Sequence, residues 1–208
     1  MILGPDMRYA IDEGFLTPYR IYSVPCSVEY ERLDVGASGE FVHAKLVAAE
    51  DDSGLIGDIV SQYQKHANGK LGVTFVSSVE RARKVAAEFT ARGIPAIALD
   101  GTTPDEERAE AIAKLERREV LQLVNCDLFG EGFDLPAIEV VSMGTATASL
   151  ARYMQWFGRG LRLMLGFNNE QWAWYNTLDA AGRRAVIAQS EKPFAIICLL
   201  YTSDAADD

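Results

Sequence analysis

Short apolar runs alternate along the chain with longer segments in which apolar residues recur at helical spacing. The runs at 71–76, 94–99, 120–124 and 137–143 have the length of buried strands. The segments at 55–67 and 79–91 carry apolar residues every three or four positions, which predicts amphipathic helices. This alternation predicts an α/β domain.

Residues with capping and turn preferences mark the ends of two of these helices. Ser77 or Ser78 can cap the helix at 79–91, and Gly93 can end it. Thr103 is a candidate N-cap for a further helix that runs to about residue 117, with Pro104 at its first position. Both helices are therefore expected to begin close to the end of a strand.

The flanking parts of the chain carry weaker signals. A helix at 7–13 is expected to stop at Gly14, with an extended segment at 19–24 and another helix at 41–49. A helical pair within 168–190 is expected to break near Gly182, and a strand that begins at Pro193 should close the sheet. The pair carries aromatic residues that could stack on bases, although we expect them in the core: Trp172, Trp174 and Tyr175.

The stretch 150–162 has the most specific pattern of the chain. Read as a helix at about 100° per residue, it places four apolar residues on one side: Leu150, Met154, Phe157 and Leu161. Gln155, Arg159 and Arg162 fall on the opposite side. Because arginine is always charged and offers a planar fork of donors, this side suits a polyanion such as a chain of phosphates.

Two glycines, Gly158 and Gly160, flank Arg159 within this helix. Glycine weakens a helix, and it is tolerated best where a ligand or another backbone comes close. The sequence therefore predicts a close approach at this turn of the helix.

Composition narrows the range of functions. The net charge of −10 over 208 residues argues against a generic basic nucleic-acid binder, yet residues 144–165 contain three arginines and no acidic residue. The chain has no apolar run of about 18 residues and no signal-peptide pattern, so we expect no membrane partner. Three widely spaced cysteines without a C-x-x-C pair favour reduced thiols, and no metal site is predicted.

Two motifs resemble those of superfamily-two helicases. Residues 155–162, Gln-x-x-Gly-Arg-x-x-Arg, are similar to motif VI of the DEAD/DEAH-type enzymes. Residues 131–136, Glu-Gly-Phe-Asp-x-Pro, are similar to their motif V, and the order and short spacing of the two motifs also match. The overall pattern most resembles phage-type members of the family, which implies the cytoplasm of a bacterial or phage-infected cell.

The resemblance implies a fold and a reaction. The fold would be a RecA-like three-layer α/β domain with a mainly parallel sheet, the second of two motor domains in an ATP-dependent helicase. The implied partners are DNA or RNA, ATP with Mg²⁺, and a first RecA-like domain. The sequence shows neither a G-x-x-x-x-G-K-[S/T] loop nor a D-E-x-H/D tetrad. We therefore expect the first domain to hold most of the ATP and Mg²⁺, and this chain alone to be inactive.

The motif VI match implies catalytic roles for three residues. Arg159 and Arg162 would act as arginine fingers on the γ-phosphate, and Gln155 would couple the nucleotide to the relative position of the domains. The implied nucleotide-binding residues are Gly132, Asp134 and Gly158. Asp134 could instead be a turn carboxylate that caps local N–H groups.

Five further residues are implied to bind nucleic acid. Ser77 and Ser78 resemble motif IV of the family, and Thr102 and Arg108 match residues near the nucleic-acid backbone. Thr147 precedes the motif VI helix. The alternatives are that the serines only cap a helix and that Arg108 pairs with neighbouring acids.

The sequence also departs from the family pattern at two places. Gly130 stands where many relatives have a threonine whose hydroxyl touches the strand backbone. Thr145 and Ala146 stand where relatives often have Arg-Pro. A contact equivalent to the threonine hydroxyl is therefore not expected.

The resemblance divides the chain into three parts. Residues 1–53 would be the linker from the first motor domain plus N-terminal helices, with Met1 an internal methionine, and residues 54–197 the RecA-like domain. Residues 198–208 resemble a translated sequencing adapter, which implies an artefact tail; a genuine acidic tail is the alternative. Two other functions stay open, namely a non-enzymatic module that binds nucleic acid and the motor portion of a restriction-modification translocase.

Overall fold

The computed structural model describes residues 6–25, 28–37, 39–51, 55–126 and 138–202. These residues contain six strands: β1 (Tyr19–Pro25), β2 (Gly72–Phe75), β3 (Ala96–Asp100), β4 (Gln122–Cys126), β5 (Val140–Met143) and β6 (Ala195–Thr202). The same residues contain eight α-helices: α1 (Met7–Asp12), α2 (His43–Asp51), α3 (Leu55–Ala67), α4 (Val79–Ala91), α5 (Asp105–Glu116), α6 (Leu150–Leu161), α7 (Asn169–Thr177) and α8 (Ala180–Ala188).

The strands form one sheet in the order β1-β6-β5-β2-β4-β3, and every neighbouring pair is parallel. β2 lies inside the sheet, where Phe75 is in register with Asn125 of β4 and with Met143 of β5. Because all strands run the same way, their carboxyl ends meet at one edge, where open α/β sheets bind ligands.

Side chains alternate between two apolar layers, one on each face of the sheet. Val73, Phe75 and Val141 face the layer that contains α5 and α6. Val140 and Val124 face the layer that contains α3 and α4. A sheet buried on both faces is typical of parallel α/β folds. The predicted α/β class with a mainly parallel sheet is confirmed.

Local signals set the ends of α3 and α4, which match the predicted helices at 55–67 and 79–91. Ser78 is the N-cap of α4, and its hydroxyl accepts from the N–H of Arg81 at 3.2 Å. Gly93 follows this helix with a φ of 78°, a backbone conformation that suits glycine.

The predicted cap of α5 is wrong. α5 begins at Asp105, its N-cap is Pro104, and no side chain caps it. The hydroxyl of Thr103 instead accepts from the N–H of Asp100 at 2.9 Å, because the turn after β3 has its own backbone donor to satisfy. Acidic residues in the first turn stabilise the positive end of this helix.

The predicted break near Gly182 is also misplaced. α7 ends at Thr177, and Asp179 caps α8 by accepting from the N–H of Gly182 at 2.7 Å. Gly182 therefore lies inside a helix. Tyr175 is buried as expected, but Trp174 is half exposed, so the aromatic residues of α7 are only partly core.

The sheet extends beyond the predicted domain limits. β1 lies within the segment 1–53 and pairs with β6 from Tyr19 to Pro25, so the division after residue 53 does not coincide with an edge of the sheet. β6 continues to Thr202, and Cys198 and Leu200 are buried. The five residues after Ile197 therefore belong to a strand, while the origin of the tail stays a prediction. Within the described ranges, no helix has the length and apolar character needed to cross a membrane.

Candidate nucleotide and nucleic-acid sites

α6 carries the motif-VI-like residues and lies on the sheet. Ser149 begins the helix, since its hydroxyl accepts from the N–H of Arg152 at 3.3 Å. The ring of Trp156 stacks on Phe75 with 4.8 Å between centroids, and Phe157 makes an edge contact with Tyr19 at the same distance. These aromatic contacts fix the side of α6 that faces the sheet.

The predicted apolar side of α6 is wrong at its first half. Leu150 is 74% exposed and Met154 is 40% exposed, whereas Phe157 and Leu161 are buried as expected. The buried face is turned toward Trp156 and Gly160. A Cβ placed on Gly160 would lie 3.0 Å from Val141 Cγ2, so this glycine lets the helix approach the sheet closely.

The residues of the predicted polar side are less buried than this face. Gln155 is exposed and Arg159 is half-buried, and Arg162, which lies after the last residue of α6 as its C-cap, is also half-buried. Among the described residues, a Cβ placed on Gly158 would meet no atom within 4 Å beyond the helix's own backbone, so this part of the domain leaves the helix surface beside Arg159 open. The two glycines that flank Arg159 therefore have different environments, since Gly160 packs against the described sheet and Gly158 does not.

Thr147 precedes α6 at the carboxyl edge of the sheet. Its hydroxyl donates to Glu40 Oε1 at 2.5 Å and accepts from the N–H of Ser149 at 3.1 Å. The other oxygen of Glu40 accepts from the N–H of Ala148 at 3.2 Å, and Arg152 lies 3.6 Å from the carboxylate. A carboxylate thus binds the positive end of α6, where an anion is favoured.

Ser77 is buried under α2. Its hydroxyl donates to Glu50 Oε2 at 2.5 Å, and Thr145 donates to the other oxygen at 2.8 Å. Burial raises the pKa of Glu50, although these hydrogen bonds and the nearby Arg81 oppose the shift. The structure therefore places Ser78 at the helix cap, which is the alternative given for the serines, whereas Ser77 lies in an internal polar cluster that was not expected.

Thr102 and Arg108 come together beside the end of β3. Both the N–H and the hydroxyl of Thr102 donate to Asp100 Oδ1, at 2.8 and 2.6 Å. These bonds hold the pKa of Asp100 below its ordinary value, and the positive charge of Arg83 adds to the effect. Arg108 Nη2 donates to the Gly101 carbonyl at 3.3 Å, and the same guanidinium lies 3.4 Å from Asp105, so the expected pairing with a neighbouring acid is present.

Two predicted residues of the nucleotide site, Gly132 and Asp134, lie outside the described residues. Nothing in the sequence indicates the contacts that Glu40 and Glu50 make, because their partners are distant along the chain and neither residue lies in a motif. Among the described residues, no group of three or more histidine, cysteine, aspartate or glutamate side chains could hold a metal ion.

Known proteins match both the sequence and this architecture. A 51.5 kDa protein of a Lactococcus phage is 33% identical over 162 residues, which cover 78% of this chain and 35% of that protein. A Schizosaccharomyces pombe protein assigned as the mitochondrial ATP-dependent helicase irc3 is 30% identical over 157 residues, 75% of this chain and 26% of that protein. The chain thus spans about a third or less of the length of these relatives.

A solved structure shares the fold. A fragment of a Vibrio vulnificus protein assigned as the HsdR subunit of a type I restriction enzyme superposes with a TM-score of 0.57 at 17% identity, covering 95% of this chain and 34% of that one. The model of the helicase conserved C-terminal domain matches residues 55–164, which include the strands β2 to β5 and α6. The chain belongs to this family, the RecA-like C-terminal domains of superfamily-two helicases.

Proposed function

We propose that this chain is the second motor domain of an ATP-dependent nucleic-acid helicase or translocase, and that α6 supplies its arginine fingers. The observation that carries the proposal is the outer side of α6. Gln155 and Arg159 lie there, away from the residues that pack on the sheet, and Arg162 follows directly as the C-cap residue. The apolar anchor of α6 holds the backbone of both arginines at a defined place, which favours transition-state stabilisation by their guanidiniums.

The donor set on this side of α6 fits a triphosphate. Two guanidiniums and one amide offer many N–H donors, and the surface at Gly158 has room for a ligand or a second domain. ATP with Mg²⁺, held mainly by a first RecA-like domain, would supply a phosphoryl group for transfer to water. Arg159 and Arg162 would stabilise the negative charge that develops in the transition state, an effect of about 10³–10⁵-fold in kcat.

Gln155 would couple the nucleotide to the relative position of the two domains, and Gly132, Asp134 and Gly158 would complete the nucleotide side. This assignment rests on the motif match for Gly132 and Asp134 and on the open helix surface for Gly158. Opening and closing the cleft between the domains would move the protein along a strand.

Thr102, Arg108 and Thr147 are proposed to contact the nucleic-acid backbone. Thr102 and Arg108 lie beside the carboxyl end of β3, and Thr147 lies just before α6. A phosphate at Thr147 would replace the Glu40 carboxylate, which accepts from the Thr147 hydroxyl and the Ala148 N–H at the positive end of the helix. Ser78 would contribute through the α4 N-terminus that it caps. Ser77 is buried and bound to Glu50, so its proposed role is to hold this edge in place.

The experiment measures ATP binding and ATP turnover in the full motor, this chain together with its first domain. Arg159→Ala and Arg162→Ala should lower kcat by about 10³-fold or more while ATP still binds. Arg152→Ala is the matched control and should keep wild-type kcat, because Arg152 carries the same charge in the first turn of α6, outside the motif at 155–162, and pairs with Glu40. Wild-type turnover in Arg159→Ala or Arg162→Ala would rule out the arginine assignment.

A second candidate is the motor portion of a restriction-modification translocase. Such motors share the motif V and motif VI patterns that residues 131–136 and 155–162 resemble. The same arginine chemistry would operate in such a motor. A nuclease or methyltransferase segment beside the motor in the same gene or operon would identify it.

A further inference from the structure

A buried amine lies at the carboxyl end of α6. Lys192 precedes β6 and is 1% exposed. Its Nζ donates to the carbonyl of Gly160 at 2.6 Å and to the carbonyl of Arg162 at 2.7 Å. Lysine is almost never buried without partners, and here the partners are backbone carbonyls of the helix that carries the motif VI arginines.

Thr17 binds the same turn from the other end of the chain. Its backbone N–H donates to the carbonyl of Leu161 at 2.8 Å, and its hydroxyl donates to the carbonyl of Arg162 at 3.3 Å. Three consecutive carbonyls, those of residues 160 to 162, therefore receive donors from outside the helix. The backbone turns extended at Arg162, with a ψ of 139°, so the usual glycine cap is replaced by these two residues.

The amine binds this turn in either protonation state. Burial lowers the pKa of Lys192 to about 7, while the negative charge of Glu139 opposes the shift. The neutral amine keeps two N–H donors, enough for both carbonyls. The charged amine adds a favourable interaction with the negative end of the helix.

We propose that Lys192 is a positioning residue for ATP hydrolysis: its amine fixes the last turn of α6, from which Arg159 and Arg162 extend. The proposal rests on the function proposed above for the two arginines. Lys192 is buried and acts through the helix backbone. Arg162 is the residue most directly held, because its own carbonyl accepts from both Lys192 and Thr17.

The test compares variants in the full motor. Lys192→Met keeps the length of the side chain and removes its donors, so kcat should fall by about 10- to 100-fold, since a displacement of about 1 Å at a catalytic group has an effect of this size. The KM for ATP should stay within about twofold, because the first domain holds most of the nucleotide. Lys192→Arg restores donors and should recover part of the lost kcat.

Lys70→Met is the matched control. Lys70 is a more exposed lysine with an acidic partner, since its amine pairs with Glu139 at 2.8 Å. Its removal should destabilise the domain and leave kcat unchanged. An equal loss of kcat in Lys70→Met and Lys192→Met would show that the loss results from general destabilisation of the domain, and it would overturn the proposal.

A second readout does not depend on catalysis. Amide hydrogen exchange in the 208-residue chain should become faster in the last turn of α6 in Lys192→Met and stay unchanged in its first turn. If Lys192→Met does not fold, Thr17→Val provides the test. Valine keeps the shape of the threonine side chain and the backbone N–H and removes only the hydroxyl. A severalfold loss of kcat is then expected. Wild-type kcat in a folded variant, or lost kcat without faster exchange, contradicts the proposal.

Arg159→Ala and Arg162→Ala in the same motor distinguish a failure of the role proposed for Lys192 from a failure of the function proposed for the two arginines. If Arg159→Ala and Arg162→Ala lose activity while Lys192→Met does not, the arginine fingers stand and only the role of Lys192 is wrong. If neither arginine variant loses activity, the proposed function itself fails, and faster exchange in Lys192→Met would still show that the amine caps α6.

Discussion

The two glycines beside Arg159 provide a matched pair of substitutions. Both lie in the second half of α6, and alanine at either position adds one methyl group. At Gly158 the added methyl meets no atom within 4 Å in the described part of the domain beyond the helix's own backbone. At Gly160 it meets Val141 Cγ2 at 3.0 Å and Ile197 Cδ1 at 3.3 Å. The pair therefore differs mainly in contact with the sheet.

The expected stability changes follow from this difference. Replacing glycine by alanine within a helix stabilises it by about 1 kcal/mol, and Gly158→Ala should show this gain in full. Gly160→Ala should show the same helix gain offset by overpacking of about 1–3 kcal/mol. The difference between the two variants should therefore be about 1–3 kcal/mol, because the helix term is common to both.

The assay is urea and thermal unfolding of the 208-residue chain. One kcal/mol corresponds to a shift in Tm of about 2–4 °C for a chain of this size, so Gly158→Ala should melt above the wild type and Gly160→Ala below Gly158→Ala. A Gly158→Ala chain less stable than wild type would show that the outer side of α6 is not open. Equal stability of the two variants would show that α6 does not press on the sheet at Gly160.

The same pair separates stability from function. In the full motor, the Gly158→Ala methyl would occupy the surface beside Arg159 where we propose that the nucleotide or the first domain approaches. Its kcat should therefore fall although the domain is more stable. A more stable Gly158→Ala motor with wild-type kcat would show that nothing approaches this turn.

Three further predictions concern the polar contacts of the sheet. The pKa of Glu139 lies below its ordinary value of 4.5. Burial alone would raise it, but this effect is outweighed by hydrogen bonds from Lys70, the Leu71 N–H and Arg118 and by the positive charge of Lys70. Glu139 therefore stabilises the fold above about pH 4.5, and this contribution is lost as the pH falls through its folded-state pKa. Glu139→Gln should lower the free energy of unfolding at pH 7 by about 1–3 kcal/mol and flatten the acid side of a urea stability profile. The pKa of Glu50 is raised, so its effect on stability has the opposite pH dependence: the contribution is greatest below pH 4.5 and is lost as the pH rises through the folded-state pKa. Glu50→Gln keeps an amide oxygen that can accept from Ser77. It should therefore change the free energy of unfolding at pH 7 by less than Glu139→Gln. Ser78→Ala should lower the free energy of unfolding by about 1 kcal/mol because α4 loses its cap, and an unchanged urea midpoint would contradict that role.

Elements whose ends depend on nearby residues were predictable from sequence. α3 and α4 match their predicted limits because apolar spacing, Ser78 and Gly93 act within a few residues of the helix. Thr103 shows the limit of such signals: it has the composition of a cap, but its hydroxyl serves the N–H of Asp100 instead. The sequence alone does not show which nearby N–H group the Thr103 hydroxyl accepts from, because this depends on the geometry of the turn.

The orientation of α6 was only partly predictable. The exposure of Gln155 followed from helical spacing, whereas the apolar side was misjudged at Leu150 and Met154 because both have apolar side chains that remain exposed. The packing partners are Phe75 and Val141, which lie in other strands, and their fit to Trp156 and Gly160 is a property of the folded sheet.

The polar contacts behind the site could not be predicted. Glu50 joins Ser77 and Thr145, which lie 27 and 95 residues away in sequence. Lys192 reaches Gly160 across 32 residues. Neither Glu50 nor Lys192 lies in a motif, and hydrophobic periodicity does not indicate which residues come together over such separations in sequence.

ATP turnover by the 208-residue chain alone, and by the same chain joined to a first RecA-like domain, tests the proposed function most directly. We expect no turnover from the chain alone, and turnover stimulated by nucleic acid in the joined protein that Arg159→Ala lowers by about 10³-fold or more. Turnover by the chain alone, or by the joined Arg159→Ala protein at the wild-type rate, would contradict the proposal that this domain contributes arginine fingers to an active site shared with a second domain.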